Sequence, residues 1–146
     1  MTRLNQSTLP DARAIRPGYV RRGLATGIVH LGIGAFHRAH QAVYTEQALA
    51  AGDRRWGILG ASLRSPDTSD ALNPQDGLYT LSIRDASGEK LQIIGAITRV
   101  VVAPEDREAS RLLLLNRGFK SRDGFAHRIF ARLGDEAIVC CIRGTR

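Results

Sequence analysis

The chain has 146 residues, 43% of them hydrophobic and 24% charged, with two cysteines and a formal net charge of +7. That length holds one ordinary globular domain, and the composition excludes a collagen-like repeat, a charge-rich disordered chain and a disulfide scaffold. No apolar run approaches the roughly 20 residues that span a bilayer, and the polar stretch from Met1 to Thr8 lacks the apolar core of a secretory signal, so a cytoplasmic chain without a membrane partner is expected.

Residues 1–27 read as an irregular N-terminal arm, interrupted by Pro10 and Pro17-Gly18. Ile28-Val29-His30-Leu31 follows as a short, partly β-branched apolar run ending in Gly32-Ile33-Gly34, the pattern of a buried strand entering a tight turn. From Ala35 to Ala51 there is neither proline nor glycine, and good helix formers predominate. Ala39, Ala42, Val43 and Leu49 recur at helical spacing, which lets Arg38, Gln41 and Glu46 point outward. Gly52 stands where a glycine ends a helix. A second apolar strand is predicted over Trp56–Leu63.

Strand, glycine turn, helix and strand make a βαβ unit, whose crossover is right-handed. In such a unit the first turn is where dinucleotide phosphates bind. Gly32 allows the tight turn, Gly34 lets the backbone approach a pyrophosphate, and the helix start offers free N–H groups. The third glycine of the usual fingerprint is absent, because position 37 is His. A purely structural turn without a ligand remains open on these residues alone. An acid that binds the adenosine ribose belongs just past the second strand, and Asp67 is the nearer candidate there, ahead of Asp70. A carboxylate at that place favours NAD over NADP. Arg64 in the same loop could instead receive a 2′-phosphate, and both residues read equally well as ordinary loop charges.

Farther on, Tyr79, Leu81 and Ile83 alternate with polar residues, Asp85–Glu89 reads as a turn, and Leu91, Ile93 and Ile97 alternate again. This predicts an inserted β-hairpin with one buried face, extended by Val100–Val102. Pro104-Glu105-Asp106 reads as a loop leading to a helix start. The fold class expected is therefore α/β, a partial Rossmann-type nucleotide-binding domain over residues 28–109 with a hairpin inserted in it.

Most of the charge excess lies beyond that region, since residues 110–146 carry eight basic and three acidic side chains. Nucleic-acid binding needs a basic surface with stacking platforms or a reading helix. Only Phe119, Phe125 and Phe130 accompany the basic tail and no binding motif does, so a nucleic-acid or other anionic partner is the weaker alternative.

The string Gly32-Ile33-Gly34-Ala35-Phe36-His37-Arg38-Ala39-His40-Gln41-Ala42 resembles the N-terminal signature of the mannitol dehydrogenase family. These are the long-chain polyol-specific dehydrogenases, grouped with the fructuronate and tagaturonate reductases. Trp56-Gly57-Ile58, Ser62-Leu63-Arg64-Ser65-Pro66-Asp67 and Pro74–Leu81 are similar in order and spacing, and the resemblance covers about residues 15–109. It implies an NAD-dependent oxidoreductase that interconverts a secondary alcohol and a ketone on a sugar alcohol or hexuronate. Carried over by position, Gly32 and Gly34 contact the pyrophosphate, Phe36 and His37 line the same turn, and Asp67 holds the ribose with Arg64 beside it. Pro66 stands where many members carry a second acid.

The family's general base, a lysine in a Lys-x-x-x-x-Asn-x-x-His motif, has no counterpart. Lys90 and Lys120 are the two lysines, and they lead to Gly95 and Phe125. No catalytic residue is therefore assigned, and the chain alone is expected to be catalytically incomplete and poorly stable. After Pro104-Glu105-Asp106 the chain leaves the family pattern, and its arginine-rich composition fits a GC-rich gene read in an altered frame from near residue 110. A genuine divergent tail ending in a strand over Ala137–Ile142 is the other reading. A nucleotide-binding module without catalysis also stays open. His37 and His40 lack a completing ligand at metal spacing, and adjacent Cys140-Cys141 suit neither a redox pair nor a zinc half-site. Ser87-x-x-Lys90 falls in a turn without the partner motifs of a nucleophile site. Asn5-Gln6-Ser7 matches a glycosylation acceptor in a chain with no sign of secretion.

Overall fold

A computed structural model of the chain describes residues 3–62, 64–86, 88–102 and the strand at 138–141. Four parallel strands form the main sheet: β1 (Thr26–Leu31), β2 (Gly57–Ser62), β5 (Ile97–Val102) and β6 (Ile138–Cys141), in the order β5-β2-β1-β6. The chain runs outward from β1 through β2 to β5, and β6 then lies on the other side of β1, with Ile28 beside Ile138 and Leu31 beside Cys141. The strand order therefore reverses at β1, and the crevice outside the carboxyl end of such a strand is where open α/β sheets bind ligands. The buried side chains of β1 and β2, Val29 and Ile58 among them, belong to strands covered on both faces, as parallel sheets require.

The helix expected as one piece is two. α1 (Ala35–Ala39) and α2 (Gln41–Ala50) meet at His40, whose φ of −125° and ψ of −77° leave the helical region. The His40 imidazole Nδ1 lies 2.9 Å from the Phe36 carbonyl, so it donates there, and a side chain bonded one turn back bends a helix locally. α2 ends as a glycine-terminated helix should: Gly52 has φ +110°, its N–H reaches Leu49 O, and Asp53 N–H reaches Ala48 O. Two facing assignments are corrected. Ala39 is exposed because the break at His40 turns α1 away from the face α2 presents. Glu46 is buried at 3% exposure, because Tyr19 Oη (2.8 Å) and the Gly95 N–H (2.7 Å) both donate to its Oε2. Burial raises the Glu46 carboxyl above its ordinary range, against the lowering by those bonds.

After α3 (Asp67–Leu72) the inserted hairpin consists of β3 (Tyr79–Asp85) and β4 (Gly88–Ile94). Two expectations about it change. Val100–Val102 do not extend the hairpin; they belong to β5, which pairs parallel to β2 with Val100 beside Gly60. Nor is there a single buried face. Ile93 pairs with Thr80 and Leu91 with Ser82, so these two face opposite to Leu81 and Ile83, whereas Ile94 pairs with Tyr79 and shares their face. Tyr79 and Leu81 pack on the core cluster. The N-terminal arm pairs along the free edge of β4 in a parallel bridge opposite Gln92, where Ile15 donates its N–H to Leu91 O and accepts from Ile93 N–H. The arm is pinned by Arg21, which donates to the carbonyls of Gly95, Ile97 and Asp76.

One edge of the sheet is closed by a side chain. Asn73 donates from Nδ2 to Val100 O (2.8 Å) and accepts the Val100 N–H (2.9 Å), imitating a neighbouring strand against β5. No helix among the described residues is long and apolar enough to cross a membrane.

Candidate functional site: a glycine turn at the strand-order reversal

The turn after β1 alternates outward and inward. Gly32 and Gly34 are exposed and Ile33 is buried. Gly32 has φ +86°, a conformation that side chains disfavour. Its N–H donates to Ala61 O of β2 at 2.9 Å, and Gly34 N–H donates to Gly32 O at 2.7 Å. A Cβ at Gly32 would meet nothing within 4 Å and one at Gly34 only Gly32 O at 3.9 Å. The backbone surface over the turn is thus open to a close-approaching group, the role the two glycines of a dinucleotide fingerprint play. Gly34 also starts α1 without any side-chain cap, so the first amides of that helix are left for an outside acceptor. α1 has only five residues, and the fit rests on these open amides more than on a helix dipole.

Several side chains hold the turn from beneath. Arg38 donates to Ile33 O at 3.0 Å, and Tyr79 of the hairpin donates to Arg38 O at 2.6 Å. The inserted hairpin is thereby tied to the helix that begins at the turn. His37 is 1% exposed, and its ring lies 3.7 Å from that of fully buried His30, tilted by 37°. His37 Nδ1 lies 3.2 Å from Gln41 Oε1, while His37 Nε2 and both His30 nitrogens have no hydrogen-bond partner among the described residues. Burial pushes the His30 pKa down to about 4, with His37 adding to the effect, and lowers His37 as well. Both rings are held neutral.

The remaining candidates divide in the same way. Phe36 is 67% exposed on the first turn of α1 and stacks on His40 with ring centres 4.2 Å apart. Asp67 is exposed at the start of α3, past β2, where it accepts from Ser65 Oγ at 2.8 Å. Ser62 Oγ in turn donates to Ser65 O at 2.5 Å. Arg64 is exposed in the same loop. The structure thus brings Gly32, Gly34 and Phe36 to the open side of the turn after β1, and Asp67 and Arg64 to the end of the neighbouring strand. His37 lies underneath the turn. Sequence reasoning missed His30, Gly60 and Tyr79 as parts of this apparatus. The only advance signal was that two histidines and a glycine stand in otherwise apolar strand or helix positions. Among the described residues no three His, Cys, Asp or Glu side chains are grouped to hold a metal ion.

A parallel sheet whose order reverses at a strand ending in an open Gly-x-Gly turn, with an acid past the next strand, defines a Rossmann-type dinucleotide-binding domain. The family model of the mannitol dehydrogenase Rossmann domain matches residues 26–115, and the chain belongs to that family. It is 40% identical over 111 residues to the mannitol 2-dehydrogenase of Pyrenophora tritici-repentis, covering 73% of this chain and 20% of that enzyme. Among solved structures, the Pseudomonas fluorescens mannitol 2-dehydrogenase in its ternary complex with NAD and D-mannitol superposes with a TM-score of 0.72 and 35% identity, covering 78% of this chain and 24% of that one. A D-sorbitol dehydrogenase in substrate-free form gives a TM-score of 0.68 and 33% identity over 77% of this chain and 25% of that one. The chain thus spans about a fifth to a quarter of the length of these relatives.

Proposed function

We propose that the turn at Gly32–Gly34 holds the pyrophosphate of NAD, and that the chain is the N-terminal nucleotide-binding portion of a dehydrogenase that interconverts a secondary alcohol and a ketone on a polyol. The observation that carries this is the open backbone over the two glycines at the strand-order reversal, in a chain of this family. The relatives are polyol dehydrogenases, which favours a polyol over a hexuronate. Gly32 and Gly34 let the pyrophosphate come close to the backbone, the first amides of α1 donate to it, Phe36 offers an exposed ring beside it, and Asp67 accepts hydrogen bonds from the ribose hydroxyls, with Arg64 at its rim. His37 supports the turn from below. NAD, when bound, supplies the hydride acceptor. The chain's own residues bind and orient it, while proton transfer needs a base within hydrogen-bond reach of the substrate, and no lysine here begins the family's base motif. The 146 residues alone therefore bind nucleotide without turning over mannitol.

A titration of the chain with NAD tests this reading. Saturable binding is expected, abolished in Gly34→Asp. That variant keeps an ordinary φ of −82° and its Cβ meets only Gly32 O at 3.9 Å, so it is expected to remove binding without removing the fold. Equal binding by both proteins, or none by the unmodified chain, refutes the assignment, and NAD reduction with mannitol by the chain alone refutes its incompleteness. For residues 110–146, the parallel strand Ile138–Cys141 beside β1 favours a genuine strand-forming tail over an altered reading frame. Sequencing the gene decides it: a second frame that restores the family pattern overturns the genuine tail.

A further inference from the structure

The fingerprint at this turn is one glycine short. Its third glycine ordinarily lets the first helix pack closely on the strand, but His37 stands there with its ring buried against His30. The close approach occurs one strand away. Gly60 of β2 lies beside His30 in the parallel register. A Cβ built on Gly60 would overlap Ile33 Cδ1 and would stand 3.2 Å from both Cβ and Cγ1 of the same residue. Cδ1 is the atom that must leave, and it leaves only by taking the side chain out of its seat, whereas the 3.2 Å contacts ask for shifts of a few tenths of an ångström. Ile33 is the residue between the two turn glycines and is 3% exposed, so where it seats is where the turn sits. The next residue of β2, Ala61, accepts the Gly32 N–H at 2.9 Å. Two adjacent positions of β2 therefore grip the turn, one by a carbonyl and one by having no side chain.

We propose that Gly60 is a positioning residue of the nucleotide turn, supplying from the neighbouring strand the close packing that the absent third glycine of the fingerprint would supply from the helix. The side chain of Ile33 fills the space that Gly60 leaves, and this seating sets the height of Gly32 and Gly34 over the sheet. A shift of the turn by even part of an ångström displaces amides that must meet a pyrophosphate at hydrogen-bond distance. The proposal rests on the reading of Gly32–Gly34 as an NAD site for its consequence, but the packing relation between Gly60 and Ile33 stands apart from any ligand.

The test is a cycle of Gly60→Ala, Ile33→Val and the double variant in the 146-residue chain, read by NAD affinity and by hydrogen exchange at the Gly32 amide. Ile33→Val removes the Cδ1 atom that the new methyl would overlap. Gly60→Ala is expected to weaken NAD binding at least tenfold and to speed Gly32 exchange. The double variant is expected to recover both to within about threefold of Ile33→Val alone, a rescue that general destabilisation would not give. Unchanged affinity and exchange in Gly60→Ala, or a loss that Ile33→Val does not recover, overturns the proposal. If Gly60→Ala does not fold, recovery of fold and exchange in the double variant supports the proposal, and failure to recover overturns it. If the unmodified chain takes up no NAD, the nucleotide reading falls while Gly32 exchange still decides whether Gly60 seats the turn.

Discussion

Two loops leave the carboxyl ends of adjacent strands, and they are built in opposite ways. The turn after β1 is anchored in the interior: Ile33 is buried, Gly32 is bonded to Ala61, Arg38 braces the Ile33 carbonyl, and a buried histidine pair lies beneath. The loop after β2 keeps its candidate groups, Arg64 and Asp67, exposed, and Asp67 is oriented by a hydrogen bond from a residue two positions away. A geometry set by packing tolerates little change, whereas a loop held by local bonds can exchange its charged groups without a cost to the fold. The part of the site proposed to meet the invariant pyrophosphate is the packed one. The part that would distinguish a ribose hydroxyl from a phosphate is the adjustable one.

The most severe way to break this contrast is Gly32→Val. A β-branched residue at φ +86° carries a strain on the order of 1–2 kcal/mol or more, and relief of that strain moves the turn off β2. Loss of measurable NAD binding is expected together with a clear drop in the thermal midpoint. Retention of both would show that the turn is not conformationally fixed.

Acid probes the histidines below the turn. The His30 pKa falls from its ordinary 6.5 to about 4 on folding, and that of His37 also falls. The unfolded chain takes up these protons first, so their contribution to stability is full above pH 6.5, and that of His30 is lost as pH falls towards about 4. The slope approaches 1.4 kcal/mol per pH unit for one group. Glu46 opposes it: its pKa is raised by burial, so its native form gains protons first and becomes relatively more stable as pH falls. Glu46→Gln removes the opposing slope. Its thermal midpoint should decline steeply from pH 6.5 downward, and imidazole nitrogen shifts should show His30 neutral at pH 5. A flat profile with His30 titrating near 6.5 would place the ring in water.

How far this arrangement was legible in the sequence follows the same division. Gly32-Ile33-Gly34 is readable because the need for positive φ is local, and Gly52 is readable for the same reason. The fold class follows from the apolar runs on either side of the first helices and from the hairpin alternation. What the pattern hides is tertiary. Glu46 reads as an outward residue until Tyr19 and Gly95 are brought to it. Val100–Val102 look like a continuation of the hairpin, because nothing in a β-branched run states which sheet it joins. His30 looks like an oddity in a strand until His37 stacks on it, and Gly60 reads as a weak strand position until Ile33 occupies the space above it. Asp67 and Arg64 are legible from their place past the second strand and from the family resemblance, yet their contact with a ribose depends on a ligand that no pattern of residues contains.

The mildest change sharpens the contrast from the other side. Asp67→Ala removes a carboxylate that accepts one bond, from Ser65 Oγ, and stands exposed at the first position of α3. Losing an exposed acid in a first helical turn costs a few tenths of a kcal/mol to about 1 kcal/mol, so the thermal midpoint should scarcely move. If the carboxylate accepts ribose hydroxyls, NAD affinity should fall roughly tenfold, the equivalent of about 1.4 kcal/mol. NADP should then bind nearly as well as NAD, because the repulsion of its 2′-phosphate is gone and Arg64 remains to receive it. Competitive titration of the two nucleotides against the variant separates the cases. A preference for NAD that survives the substitution would move the source of discrimination out of this loop and into the packed half of the site.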